Sequence, residues 1–313
     1  MNHHIPVLLN EVIDQLILSR INELPKEIKF FDGTLGGGGY SQKVLNTASK
    51  IGFNLYLFAS DLDKGAINRV NEYIQVPKSC DFKTLHMNFA DAIAEFEDFS
   101  LDGVCVDLGF SSNQLEISGR GFAYLKPDEP LDLRYDVEET DSCSQKLLKL
   151  KSADELAKAL YHYSGEPYSR RIAELIYGMN KKTPWTVQEM IGVVIEVLPA
   201  KAMKYKNPTL SRVWQGLRIW TNDEFGSLEK FLPLALKKIK VGGRLAVVCF
   251  HSLEDKIVTN YFRGMSKAVN TDKFGNKTFE YKIITAKGIL PSEQEVTDNN
   301  RSRSAILRVI ERI

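Results

Sequence analysis

Phe30-Phe31-Asp32-Gly33-Thr34-Leu35-Gly36-Gly37-Gly38-Gly39-Tyr40 is the stretch on which the fold reading turns. A short apolar run ends at an acid, a glycine run follows, and Tyr40 to Ala48 carries helical spacing. The order is strand, glycine loop, helix. Beyond it, Leu55 to Ala59 reads as a buried strand closed by Ser60-Asp61, with a polar helical stretch from Asp63 to Tyr73. Phe82 to His86 is a third strand, Ala90 to Phe99 has helical spacing, and Gly103 to Val106 is a fourth strand ending at Asp107-Leu108-Gly109. Repeated β/α alternation predicts a doubly wound α/β fold, a parallel sheet with helices on both faces.

The alternation stops after residue 112. Residues 113–210 offer helices over Ala153 to Tyr163, Tyr168 to Met179 and Thr186 to Leu198 but no buried strand, which predicts an inserted all-helical domain. It opens on an irregular segment, Gly119 to Asp141, with 3 basic and 7 acidic residues. Residues 1–112 and 211–313 then form one discontinuous sheet domain. Its second part holds a helix from about Asn222 to Lys240, a turn at Val241-Gly242-Gly243-Arg244, a strand from Leu245 to Phe250 and a helix after Ser252. Phe279 to Ile284 and Ala305 to Ile310 are further strands.

With 313 residues, a net charge of +1, 43% apolar and 26% charged residues, the chain is neither a disordered tail nor a globally basic histone-like binder. A polyanion must meet a local patch. Cys80, Cys105, Cys143 and Cys249 form no CxxC pair, which argues against a zinc site or a disulfide framework and for a reducing compartment. No apolar run approaches the ~18 residues of a membrane span.

Glycines between a strand and a helix let backbone N–H groups approach an anionic ligand, while Asp61 at the second strand tip is placed for two ribose hydroxyls. Two plainer readings stay open: an ordinary tight turn, and an acid that caps a helix. Gly36 and Gly38 fit G-x-G-x-x-G, but Ser41 occupies the third position, so S-adenosylmethionine suits better than a dinucleotide. On that reading Phe89 covers adenine and Asp107 lies near the methionyl end; the alternatives are a core ring and a turn cap. His251-Ser252-Leu253-Glu254-Asp255 falls at a strand's carboxyl edge, where it faces a substrate base or, through Ser252 and Asp255, forms a capping box. No G-x-S-x-G elbow supports a hydrolase. Between Lys201 and Asn222 stand Lys201, Lys204, Lys206, Arg212 and Arg218 with no acid, interleaved with Tyr205, Trp214 and Trp220. Such a stretch suits RNA phosphates and unstacked bases, or else is a solvated face over core tryptophans. Arg301, Arg303, Arg308 and Arg312 add positive charge near the end.

Several blocks together carry a resemblance. They are His4-Ile5-Pro6-Val7-Leu8-Leu9-Asn10-Glu11, Asp32 to Gly39, Asp107-Leu108-Gly109-Phe110-Ser111-Ser112 with Gln114, Arg120-Gly121-Phe122 and Pro130-Leu131-Asp132-Leu133-Arg134. Gln215 to Ile219 with Asn222 and Glu224, Phe250 to Asp255, and Arg301-Ser302-Arg303-Ser304 complete them. In this order they resemble, over nearly the whole chain, the MraW/RsmH family of bacterial methyltransferases, which methylate the N4 of a cytosine in the decoding region of 16S rRNA. The resemblance implies a class I S-adenosylmethionine-dependent methyltransferase fold, Rossmann-like and interrupted by a helical domain that helps hold RNA.

Carried over by position, cofactor contacts fall on Gly38, Gly39, Tyr40, Asp61, Phe89, Asp107 and Gln114. The family usually has His at the position of Tyr40. Direct methyl transfer to a weakly nucleophilic amino nitrogen benefits from an acceptor that binds an amino hydrogen and removes a proton. Asp107 is the first candidate, His251 and Glu254 the next. Arg212, Arg218, Arg301 and Arg303 are assigned to phosphates, with Asn222 beside them on the substrate side. The expected partner is 16S rRNA within the small ribosomal subunit, and no metal is expected. A small-molecule methyltransferase, a non-catalytic RNA-binding assembly factor and an organellar relative are the competing readings. No Arg-rich leader precedes His4, which points to a bacterial cytoplasmic enzyme.

Overall fold

A computed structural model describes residues 6–110, 114, 115, 117–138, 140–271 and 275–313. His4, Ile5, Ser111 and Ser112 of the quoted motifs lie outside them. In chain order the first elements are α1 (Leu9–Leu16), β1 (Glu27–Asp32), α2 (Gly39–Lys50), β2 (Asn54–Asp61), α3 (Lys64–Tyr73), β3 (Cys80–His86) and β4 (Leu101–Asp107). A helical series follows: α4 (Cys143–Leu148), α5 (Ala153–Ser164), α6 (Ser169–Gly178), α7 (Val187–Val197) and α8 (Lys206–Asn222). The chain closes with α9 (Glu224–Lys238), β5 (Ile239–Cys249), α10 (Ser252–Met265), a hairpin of β6 (Asn270–Thr271) and β7 (Lys277–Thr278), β8 (Tyr281–Ile283), α11 (Glu293–Asp298) and β9 (Ile306–Arg312).

Among the described residues a seven-stranded sheet runs in the order β3-β2-β1-β4-β5-β9-β8. Strands β1 to β5 pair in parallel, and β9 returns antiparallel to both β5 and β8. Alternation along the strands builds a core on each face. Phe30, Cys105, Ala246 and Val248 enter one with α1 and α2, while Phe31, Val104, Val106, Leu245 and Val247 enter the other. The doubly wound α/β architecture expected from the strand and helix alternation is therefore present.

Contacts divide the chain into two compact units, residues up to Gly109 with Gly226–Ile313, and Phe110–Phe225. The expected insertion of 113–210 ends earlier than the second unit because α8 places Val213, Trp214 and Leu217 in the core of the helical unit. Gly216 mid-helix lowers the local helical propensity of α8. Three other local expectations change. The helix expected over Ala90 to Phe99 shrinks to Phe89–Ala92 and a 3-10 turn, after which Phe96 extends to pack 5.3 Å from the Phe31 ring centroid. The predicted turn at Val241 to Arg244 is part of β5, whose register against β4 shifts between Leu101 and Gly103. The capping box before α10 uses His251 and Glu254, not Ser252 and Asp255. Asp255 instead meets the Arg308 guanidinium at 2.7 and 3.0 Å.

Candidate active site

Strand order brings the carboxyl ends of β2, β1, β4 and β5 side by side, and an acid stands at or just beyond each: Asp61, Asp32, Asp107 and Glu254. Asp61 Oδ2 accepts from the Gly36 N–H at 2.7 Å and Oδ1 from the Asp63 N–H at 2.8 Å. Its carboxylate is thereby fixed against the glycine loop. Gly36 and Gly38 hold positive φ values of 50° and 69°, a conformation that a side chain would strain. Gly38 caps α2 with backbone only, so the helix N-terminus carries no capping side chain.

Asp32 lies at the centre of the buried network. Its Oδ2 accepts from the Ser41 hydroxyl at 2.7 Å and its Oδ1 from the Thr34 N–H at 3.2 Å. Thr34 Oγ1 in turn accepts from the Asp107 N–H at 2.6 Å. Burial pushes the Asp32 carboxyl up to about 6 against the pull of these hydrogen bonds. Asp107 is raised well above the carboxylate range, first by burial and then by Asp32 and Glu254. Its buried Oδ1 has no hydrogen-bond partner among the described residues. Burial also raises Asp61. Crowded, desolvated carboxyls of this kind favour a cationic ligand, which would return them to the charged form.

A profile of the MraW methylase family matches residues 1–313. The chain belongs to the MraW methylase family. Proteins called "Ribosomal RNA small subunit methyltransferase H" from Clostridioides difficile and Rickettsia felis are each 36% identical to it over 320 residues. The alignment covers 99% of this chain in both, and 99% and 98% of the relatives. Among solved structures, a putative class I S-adenosylmethionine-dependent methyltransferase from Listeria monocytogenes matches at 10% identity and a TM-score of 0.39, over all of this chain and 62% of its own. A SAM-dependent O-methyltransferase from Thermotoga maritima matches at 8% identity and a TM-score of 0.36, over 98% of this chain and 72% of its own.

For a member of this methylase family, the placement of Tyr40 is informative. Its ring is buried and its hydroxyl donates to the Val7 carbonyl, so the side chain ties α2 to the Pro6–Leu8 segment. Pro6 also packs on Gly39: a Cβ there would stand 2.3 Å from Pro6 Cγ. The Leu8 N–H donates to Glu295 Oε1 at 2.7 Å, which anchors the same segment to α11. Phe89 is half-buried, its ring edge-on to Phe231 at 5.0 Å. His251 Nδ1 accepts from the Glu254 N–H at 3.3 Å, and Glu254 Oε2 accepts from the Phe250 N–H at 2.8 Å. This pair shapes the turn between β5 and α10.

The remaining expected residues have the following local surroundings. Gln114 is buried in the helical unit. Arg212 is held by Glu166 at 2.8 Å, Arg218 by Glu224 at 2.8 and 3.0 Å, and Asn222 Oδ1 accepts from the Tyr135 N–H at 2.8 Å. Arg301 and Arg303 are exposed on a 3-10 turn, Asn300–Ser304. Trp214 is core, with its Nε1–H on the Gly121 carbonyl at 2.8 Å. Sequence reasoning left Asp32, Thr34 and Ser41 out of the site; the acid ending β1 was the available signal. Among the described residues no cluster of His, Cys, Asp or Glu is arranged to hold a metal, and no helix is long and apolar enough to cross a membrane.

Proposed function

We propose that this protein methylates small-subunit ribosomal RNA with S-adenosylmethionine, at the exocyclic N4 of a cytosine in the decoding region. Full-length membership of the MraW methylase family is the observation that carries this reading. The acids at the strand ends supply its chemistry. Each Asp61 oxygen keeps acceptor capacity for one of two neighbouring ribose hydroxyls. Asp107 Oδ1 is suited to an ammonium group, and the uncapped α2 N-terminus to a carboxylate. S-adenosylmethionine supplies, when bound, an electrophilic methyl on a cationic sulfur.

The chain's own part is positioning, desolvation and proton handling. A cytosine amino nitrogen shares its lone pair with the ring and needs help to attack. The Asp107 carboxylate, charged once a cationic ligand sits beside it, accepts a hydrogen of that amino group, which leaves more density on nitrogen, and takes the proton that must leave. His251 and Glu254 keep the adjoining turn in place. Exposed Lys201, Lys204, Lys206, Arg301 and Arg303 offer phosphate contacts, whereas Arg212 and Arg218 are already matched by carboxylates and act as scaffold. Mass-spectrometric nucleoside mapping of small-subunit rRNA from cells with and without the gene tests the proposal. Loss of N4-methylation at one cytosine, restored by the gene, is expected; an unchanged map would overturn it.

A further inference from the structure

Glu295 sits at the third position of α11, where a carboxylate ordinarily turns back to close a capping box with the residue before the helix. Among the described residues α4, α7 and α10 close that box, with Ser142 and Gln145, Thr186 and Glu189, and His251 and Glu254. At α11 the first half forms, Ser292 Oγ accepting from the Glu295 N–H at 3.1 Å. The carboxylate reaches away from its own helix: Oε1 accepts from the Leu8 N–H at 2.7 Å, 287 positions distant in the chain.

Leu8 is fully buried at φ 54° and ψ 30°, in the left-handed region that a side chain disfavours. A leucine stays there only where its surroundings fix it, and a charge-assisted hydrogen bond to its N–H does so. The two residues before it are thereby presented to α2. The Val7 carbonyl accepts from the Tyr40 hydroxyl, and the Pro6 ring packs on Gly39, where a Cβ would stand 2.3 Å from Pro6 Cγ and 2.7 Å from Pro6 Cδ. Gly39 and Tyr40 are the first two residues of α2, directly after Gly38 with its positive φ. One continuous set of contacts runs from α11 through Leu8, Val7 and Pro6 to the helix start beside the glycine loop.

Apolar packing does not require this arrangement. Val7, Leu8 and Tyr40 already share a core with Val12 and Leu45, which keeps the segment against the sheet. Such contact is non-directional, whereas a hydrogen bond sets an angle. The carboxylate therefore adds orientation, and it adds it at the helix start.

We propose that Glu295 is a positioning residue for S-adenosylmethionine: through the Leu8 N–H it sets Pro6 and Val7 against Gly39 and Tyr40, and so fixes the α2 N-terminus that receives the cofactor's carboxylate. Backbone N–H groups bind an anion best when their directions are set in advance, so a helix start released from this strap binds it more weakly. The inference rests on the reading of the glycine loop and the start of α2 as the cofactor's seat, and adds the residue that holds that seat from outside.

Isothermal titration of S-adenosylmethionine into wild type, Glu295→Asp, Glu295→Gln, Tyr40→Phe and the double variant Glu295→Asp/Tyr40→Phe tests it, with Asp61→Ala alongside. Asp keeps the charge but is one methylene shorter, while Gln keeps an acceptor at the same reach. Glu295→Asp should raise the Kd about fivefold or more and Glu295→Gln leave it within about twofold of wild type. Since Glu295 and Tyr40 hold the same segment, the double variant should bind no more weakly than the weaker single variant. A purely structural role would lower the urea midpoint of Glu295→Asp and leave the Kd of the folded protein unchanged. An unchanged Kd for Glu295→Asp, Gln no better than Asp, or losses that add in the double variant would overturn the proposal. Asp61→Ala tells two failures apart. If it weakens binding while Glu295→Asp does not, only the positioning role falls; if both leave the Kd unchanged, the seat falls with it.

Discussion

The Gly36 N–H donates to Asp61 Oδ2 at 2.7 Å, which ties the loop after β1 to the tip of β2. The same carboxylate is the proposed ribose acceptor. Loss of charge-assisted hydrogen bonds costs roughly 1.5–3 kcal/mol each. With two such bonds to the ribose, Asp61→Ala should weaken S-adenosylmethionine binding by about a hundredfold or more in isothermal titration. Affinity within about twofold of wild type would take the ribose role away from Asp61.

Asp32 gives the fold a specific pH dependence. Its carboxyl is raised from 3.8 to about 6, so the folded chain binds this proton more tightly than the unfolded chain. The stability it contributes is fully present below pH 3.8 and lost as pH rises through about 6. At about 1.4 kcal/mol per pKa unit the loss is of order 3 kcal/mol. Asp32→Asn has no such proton to release, so in urea unfolding the variant should gain on wild type between pH 4 and 6. Parallel stability curves across that range would contradict the burial argument.

Tyr40 is expected to matter through the segment it holds. Tyr40→Phe keeps the ring and strips the Val7 carbonyl of its donor. An unsatisfied buried group costs ~1–3 kcal/mol, which chemical denaturation would register. Gly39→Ala should cost more, because its methyl would overlap the Pro6 ring. Equal stability of both variants and wild type would mean that the Pro6–Leu8 segment is not anchored here.

Arginine 218 separates scaffold from phosphate ligand. Arg218→Lys keeps the charge but loses the fork on Glu224 and the plane over Phe110. It should lower stability in chemical denaturation without changing the salt dependence of RNA binding. Arg303→Ala, which removes an exposed charge, should instead reduce the slope of log affinity against log salt by about one. A reduced slope for the lysine variant would return Arg218 to the phosphates.

Much of the sheet was legible because apolar runs ending at Asp32, Asp61 and Asp107 announce parallel strands directly. The glycine run located the loop, and the acid one strand away located its partner. What remained hidden depended on contacts distant in sequence. Tyr40 meets Val7 33 positions away, and Arg212 meets Glu166 46 positions away. No local pattern separates such an arginine from one waiting for phosphate. Asp32 was passed over for a related reason: an acid at a strand end reads as a cap until Ser41, Thr34 and Asp107 are seen around it. Helix α8 was missed because Gly216 lowers propensity mid-helix while tertiary packing of Val213 and Leu217 offsets it.

The most direct measurement is methyl transfer in vitro. Purified protein, labelled S-adenosylmethionine and small subunits from cells lacking the gene are combined, and the rRNA is digested to nucleosides. Label eluting with N4-methylcytidine, at a single cytosine, is the predicted result. Label on another nucleoside, or none on RNA at all, would contradict the proposed function.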